Sequence, residues 1–185
     1  MYKRTKSMAQ ILEKRDDCYL LEAWNFQHPI ASTAVSDGFG VYAWRKAPHF
    51  GIDLGDTKDY RHPVYACGGG HVIYAGLRGD YGNCIIIRHG NNGGFVLESL
   101  YAHLFSIAKK AGNKIKKGDV IGQVGGMPGD KGAGRSTAPH LHFELILKRP
   151  VLHNALGIRW ITLGPAVAID PAPFFPAMAG KSQWR

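Results

Sequence analysis

The feature that most restricts this chain is a train of short β-forming runs cut apart by glycine clusters. Val64–Ala66, His71–Ala75, Cys84–Arg88 and Phe95–His103 are rich in β-branched and aromatic residues. Gly68–Gly70, Gly79–Asn83 and Gly90–Gly94 separate them. Beyond, Ser106–Ala111 reads as a turn of helix, Lys116–Asp119 as a turn and Val120–Val124 as a strand. A long glycine-rich loop, Gly125–Pro139, leads into a strand over His140–Leu147, and Arg159–Leu163 reads as a further short strand in a Pro-rich tail. With 24 glycines and 10 prolines, such spacing predicts many turns and short strands rather than a helix bundle. Ahead of the train, residues 7–24 read as one short helix and residues 25–48 as loop.

The 185 residues suit one domain with a real core, and 45% hydrophobic against 20% charged residues is ordinary globular composition. No apolar run approaches the roughly 18 residues of a membrane-spanning helix. The N-terminus has a basic start but neither an apolar segment nor a small-residue cleavage site, so it does not read as a secretory signal. Either a signal has been trimmed away, or the protein leaves its cell by another route such as lysis. Cys18, Cys67 and Cys84 lack metal-ligand spacing and suit a reducing compartment, with a Cys67–Cys84 bridge conceivable. The 23 Lys+Arg against 14 Asp+Glu give 23 − 14 = +9. That charge suits an anionic polymer, either nucleic acid or a bacterial wall glycan. The basic residues fall in scattered pairs, and no nucleic-acid module surrounds them.

Four of the nine histidines sit in contexts that suggest chemistry. In a strand over 140–147, His140, His142 and Glu144 share one face, while Leu141, Phe143 and Leu145 share the other and pack inward. His49 and Asp53, four apart with Gly51 between, can converge on a metal, because imidazole and carboxylate are both good zinc ligands. Together with one histidine of the His140/His142 pair they make three protein ligands and leave a fourth position open, the mark of a catalytic zinc. His103 would share a strand face with Tyr101. Glu144 is either a carboxylate that orients a ligating imidazole or an exposed strand group. His28, His62, His71, His89 and His153 read as structural or surface groups. The chain contains no HExxH, GxSxG, Walker-type loop or dinucleotide fingerprint.

Taken in order, HFGIDLG at 49–55, PVYACGGGHVIYAG at 63–76, YGNCIIIRHG at 81–90, LYAHL at 100–104, IKKGDVIGQVG at 115–125 and RSTAPHLHFEL at 135–145 resemble the lysostaphin-type zinc metallopeptidases. These are peptidoglycan endopeptidases of bacteria and phages. The resemblance covers about Gly38 to Leu147. It implies a mainly β fold, a compact antiparallel sheet with short helices, long loops and a duplicated hybrid motif. It makes His49, Asp53 and His142 the ligands of one zinc ion per chain and His103 and His140 the metal-free catalytic histidines. Tyr101 is then a candidate substrate contact and Glu144 a candidate support of a ligand.

The expected layout is an N-terminal arm over 1–30, a zinc metallopeptidase domain over 31–176 and a tail over 177–185. The expected activity is hydrolysis of peptidoglycan cross-links, with the D-alanyl–diaminopimelate bridge favoured over a glycine bridge. The expected partner is peptidoglycan rather than nucleic acid, and the expected state is a monomer. Action would be in the periplasm or at the wall, and a phage or virion-associated lysin fits the missing signal. The loop Gly125–Pro139 and residues 150–170 look like departures from the family pattern. Three other readings remain. One is a non-catalytic wall-binding or activator domain of the same fold. Another is a basic nucleic-acid-binding protein with a structural zinc, and the last is a peptidase of Gly-rich proteins.

Overall fold

The computed structural model describes residues 26–40, 43, 46–92, 95–148, 160–163 and 166–175. The expected helix at 7–24, Cys18, His153, most of the apparent insertion at 150–170 and the tail at 177–185 lie outside the described residues.

Among the described residues, twelve strands carry the fold. They are β1 (Val35–Asp37), β2 (Ile52–Leu54), β3 (Pro63–Tyr65), β4 (Gly70–Leu77), β5 (Asn83–Asn92), β6 (Phe95–Ala102), β7 (Leu104–Ile107), β8 (Lys114–Ile115), β9 (Val120–Val124), β10 (Leu141–Lys148), β11 (Trp160–Leu163) and β12 (Ala166–Ile169). Nine form one antiparallel sheet in the order β1-β2-β10-β6-β5-β4-β8, with β12 also pairing with β10 and β11. The other three form a small sheet, β3-β9-β7. Among the described residues, short 3-10 turns lie at Thr57–Asp59, Gly79–Tyr81 and Ala172–Phe174. The mainly β, antiparallel fold read from the sequence is the fold found.

Strand alternation sorts the side chains. Ile85 and Ile87 of β5 join Leu141, Phe143 and Leu145 of β10 in the main core. Their neighbours Cys84, Ile86 and Ile146 belong to a smaller cluster with Leu100, Ala102 and Ala166. Cys67 is in the first cluster and Cys84 in the second, both as free thiols, so the conceivable bridge between them is not formed.

Several expectations need correcting. Ser106–Ala111 is not a turn of helix: Ser106 and Ile107 end β7, which pairs with β9 and supplies half-buried Ile107 to the main core. The loop expected over 25–48 contains β1 and places Ile30 and Phe39 in the core. Residues 26–30 pack against the strands that follow. Gln27 donates to the Cys67 carbonyl and Tyr65 donates to the Pro29 carbonyl. The Pro-rich stretch beyond Pro150, read as one short strand in coil, also contains β12, which pairs along β10. Among the described residues, no helix is long and apolar enough to cross a membrane.

Candidate metal centre and cleft

The antiparallel ladder between β2 and β10 sets His142 directly opposite Asp53. His49 reaches the same point from the loop before β2, where its backbone bridges to Gly40 in both directions. Gly51 makes this approach feasible, because a Cβ there would overlap the Phe143 carbonyl. The outcome is tight convergence. His142 Nδ1 lies 2.8 Å from Asp53 Oδ1 and 3.0 Å from His49 Nε2, and His49 Nε2 lies 3.1 Å from Asp53 Oδ1.

The outer nitrogens decide what these inner atoms are. His49 Nδ1 sits 2.6 Å from the Gly38 carbonyl, which can only accept, so it carries the proton. His142 Nε2 sits 3.0 Å from Glu144 Oε1, which also accepts from the Tyr81 hydroxyl at 2.7 Å. In neutral rings, His49 Nε2 and His142 Nδ1 are therefore lone pairs, and both face a carboxylate oxygen. Three acceptors pointed at one spot fit a cation, and two imidazoles with one carboxylate are a donor set for zinc. Among the described residues this trio is the one cluster of its kind. Without a cation the site compensates with protons. Burial alone would lower His142, but hydrogen bonds to Asp53 and Glu144 outweigh it and raise it to about 9. Burial would raise Asp53, yet the hydrogen bonds from His142 and His49 hold it well below the ordinary carboxylate range.

Glu144 is 1% exposed, so it is not a solvated strand carboxylate. It is bound to the back of His142, and Tyr81 is bound to it. Nothing in the sequence around Tyr81 separates it from other tyrosines, because its partner lies 63 residues away.

His103 and His140 stand beside this trio. Their ring centroids are 4.9 Å apart, and His103 is 5.8 Å from the His142 ring. His140 precedes β10 and its backbone bridges to Gly125. Its Nδ1 lies 2.8 Å from the Ala138 carbonyl, which fixes the proton there and leaves Nε2 as a lone pair 3.6 Å from Asp53 Oδ2. His103 is not a strand residue. It has φ 57°, sits between β6 and β7, and donates its backbone N–H to the Tyr81 carbonyl. A non-glycine residue in the left-handed region is a strained position, common at functional sites. Burial first, then the neighbouring imidazoles, push His103 down to about 4. Burial likewise lowers His140. Both rings are neutral near pH 7.

These groups line a cleft of about 360 Å3 whose other walls include Phe50, Asp80, Tyr81, Arg135 and Ser136. Tyr101, a candidate substrate contact in the sequence, is not among its lining residues. It is fully buried, and its hydroxyl bonds the Cys67 N–H and Ser99. The reversal at His103 breaks the shared face expected for Tyr101 and His103. His89, read as structural, bonds Ser99 Oγ at 2.7 Å and the Gly69 carbonyl at 2.9 Å.

The profile of peptidase family M23 matches residues 47–153, which contain His49, Asp53, Tyr81, His103, His140, His142 and Glu144. The DD-carboxypeptidase/endopeptidase Mpg of Neisseria meningitidis serogroup B is 38% identical over 122 residues, 63% of this chain and 25% of that protein. The peptidoglycan DD-endopeptidase ShyA of Vibrio cholerae is 39% identical over 108 residues, 58% of this chain and 22% of that one. The chain thus spans about a quarter of the length of the curated relatives it matches. The catalytic domain of the antimicrobial peptidase lysostaphin from Staphylococcus simulans superposes with a TM-score of 0.54 at 27% identity, covering 84% of this chain and 95% of that domain. A zinc-containing peptidase from Vibrio cholerae superposes with a TM-score of 0.54 at 32% identity, covering 65% of this chain and 36% of that one.

Proposed function

The chain belongs to peptidase family M23, and on that premise we propose that it is a zinc-dependent endopeptidase of peptidoglycan. Its bond is the D-alanyl–diaminopimelate cross-link, and it acts in the periplasm or at the wall. The observation that carries this reading is the convergence of His49 Nε2, His142 Nδ1 and Asp53 Oδ1, three potential metal donors, on one point. The names of its relatives, two of them DD-endopeptidases, favour the D-alanyl bond.

His49, Asp53 and His142 hold the metal. Bound zinc supplies a Lewis acid for the scissile carbonyl and lowers the pKa of a coordinated water toward about 7. Glu144 fixes the tautomer and direction of His142, and Tyr81 holds Glu144. His140 Nε2, kept unprotonated by the Ala138 contact, takes a proton from the attacking water and returns it to the leaving amine. His103, neutral and rigidly placed, offers its ring N–H to the oxyanion that forms on the carbonyl.

The test is mass spectrometry of fragments from purified sacculi incubated with the zinc-loaded protein. New D-alanyl carboxyl ends and diaminopimelate amino ends are expected. Unchanged cross-links in the presence of bound zinc would overturn the reading in favour of a non-catalytic wall-binding domain.

A further inference from the structure

We propose that Arg135 is a specificity-determining residue that binds a free carboxylate on the amine side of the scissile bond. The proposal rests on the endopeptidase reading above and narrows its substrate class. In a D-alanyl–diaminopimelate cross-link, the carbon that bears the scissile nitrogen also bears a carboxylate. The same holds for a peptide ending in D-alanyl-D-alanine. Within a glycine bridge that carbon bears two hydrogens, so no such anion is present.

Among the described residues lining the cleft, Arg135 is the lone Lys or Arg. The carboxylates on the same walls are Asp53 and Glu144, already engaged at the metal centre, and Asp80. Asp80 grips Arg135 twice. Its carbonyl accepts the Arg135 backbone N–H at 2.9 Å, and its Oδ2 accepts from Nη1 at 3.2 Å. That side-chain contact uses one of the five N–H donors of a guanidinium. The others are available to make the paired bonds that Arg forms with a planar carboxylate.

The backbone beneath Arg135 is built to hold it. Gly82 lies at φ 62°, and a Cβ there would overlap the Gly132 carbonyl. A Cβ at Gly134 would overlap the Asp80 carbonyl. Asn83 also donates to the Gly132 carbonyl at 2.9 Å. The long loop is thus pressed backbone to backbone against the 79–83 turn. Tyr81 of that turn supports Glu144, and its carbonyl holds the His103 N–H. A single rigid unit therefore places the cation and braces the reacting centre. An Arg whose side chain is 80% exposed, yet whose backbone is fixed in this way, is suited to meet a substrate anion rather than to stabilise the fold.

The experiment uses the zinc-loaded full chain and two soluble cross-linked peptides. One has the diaminopimelate carboxylate beside the scissile bond free, and the other has it as the carboxamide. The wild type is expected to favour the free acid by roughly 10-fold to 100-fold in kcat/KM, the range of a charge-assisted hydrogen bond. Arg135→Ala should collapse that preference toward unity, chiefly through KM, with unchanged zinc content and circular dichroism. Arg135→Lys should keep part of it. Equal kcat/KM for the two peptides with the wild type would overturn this inference alone. So would an equal loss on both peptides in Arg135→Ala. Cleavage of neither peptide by the wild type would overturn the endopeptidase reading, and this inference with it.

Discussion

Nε2 of His49 lies 3.0 Å from Nδ1 of His142. Each ring is held from behind, His49 by the Gly38 carbonyl and His142 by Glu144, so that in the neutral rings two lone pairs face each other. Two such nitrogens beside Asp53 repel one another unless a cation or a proton lies between them. The metal is therefore expected to stabilise the fold as well as to equip it for reaction.

Dialysis against a strong chelator should lower the melting temperature, and one equivalent of zinc should restore it. At a free zinc concentration 100 times the Kd, the gain is about 2.7 kcal/mol. His49→Ala, Asp53→Ala and His142→Ala should each lose both the metal and this gain. Elemental analysis showing wild-type zinc content in Asp53→Ala would remove it from the ligand set.

Glu144→Gln and Tyr81→Phe act on the same metal from one and two steps away. Glu144→Gln should weaken zinc binding by roughly 10-fold to 100-fold, with a smaller effect from Tyr81→Phe. Competition with a fluorescent chelator reads both. Unaltered affinity in Glu144→Gln would mean that the carboxylate does not tune His142.

His103→Ala and His140→Ala should keep zinc and lose turnover, by roughly 10²–10⁴-fold for a lost acid–base group. Near-normal turnover with either substitution would sink its assigned role.

Stability should fall on the acid side. His103 is pushed down to about 4 in the fold, whereas an unfolded histidine titrates near pH 6.5. Between these values the unfolded chain binds the extra proton, so stability is full above about pH 6.5 and is lost toward pH 4. From His103 alone the loss is on the order of 3 kcal/mol. His140 and His89 shift in the same direction. Urea unfolding at pH 7.5 and 4.5 measures the slope, and His103→Gln should flatten it. An unchanged slope in that variant would remove His103 as the source.

Cys67 and Cys84 should be silent. Burial pushes both thiols up to about 12, which leaves almost no thiolate at neutral pH. In a Cys18→Ser protein, a colorimetric thiol reagent should find no reactive group until denaturant is added, and then two. Fast labelling of the native protein would contradict this burial.

Much of the site was legible because strands have period two and the ligands come from regular pieces. His142 and Glu144 on one face, with Leu141, Phe143 and Leu145 on the other, follow from alternation alone. Gly51 between His49 and Asp53 marked a close backbone approach, and the Phe143 carbonyl is what approaches. Tyr101 and His103 went otherwise, because alternation was carried one residue past the end of β6 and across a left-handed reversal. No sequence signal distinguishes a strand that ends at Ala102 from one that continues. Ser106–Ile107 misled for a similar reason, since pairing with β9 overrides what so short a polar segment prefers locally.

The sequence by itself determined the class of fold, the residue types at the reacting centre and the family to which they belong. Those depend on local pattern and on ordered motifs, which the chain carries in linear form. Only the tertiary structure decided that Asp53 stands opposite His142, that Tyr81 braces Glu144 and that Asp80 holds Arg135. These pairs are separated by 89, 63 and 55 residues. Their meeting depends on sheet register and on loop backbones pressed together, and neither is encoded in any local stretch of chain.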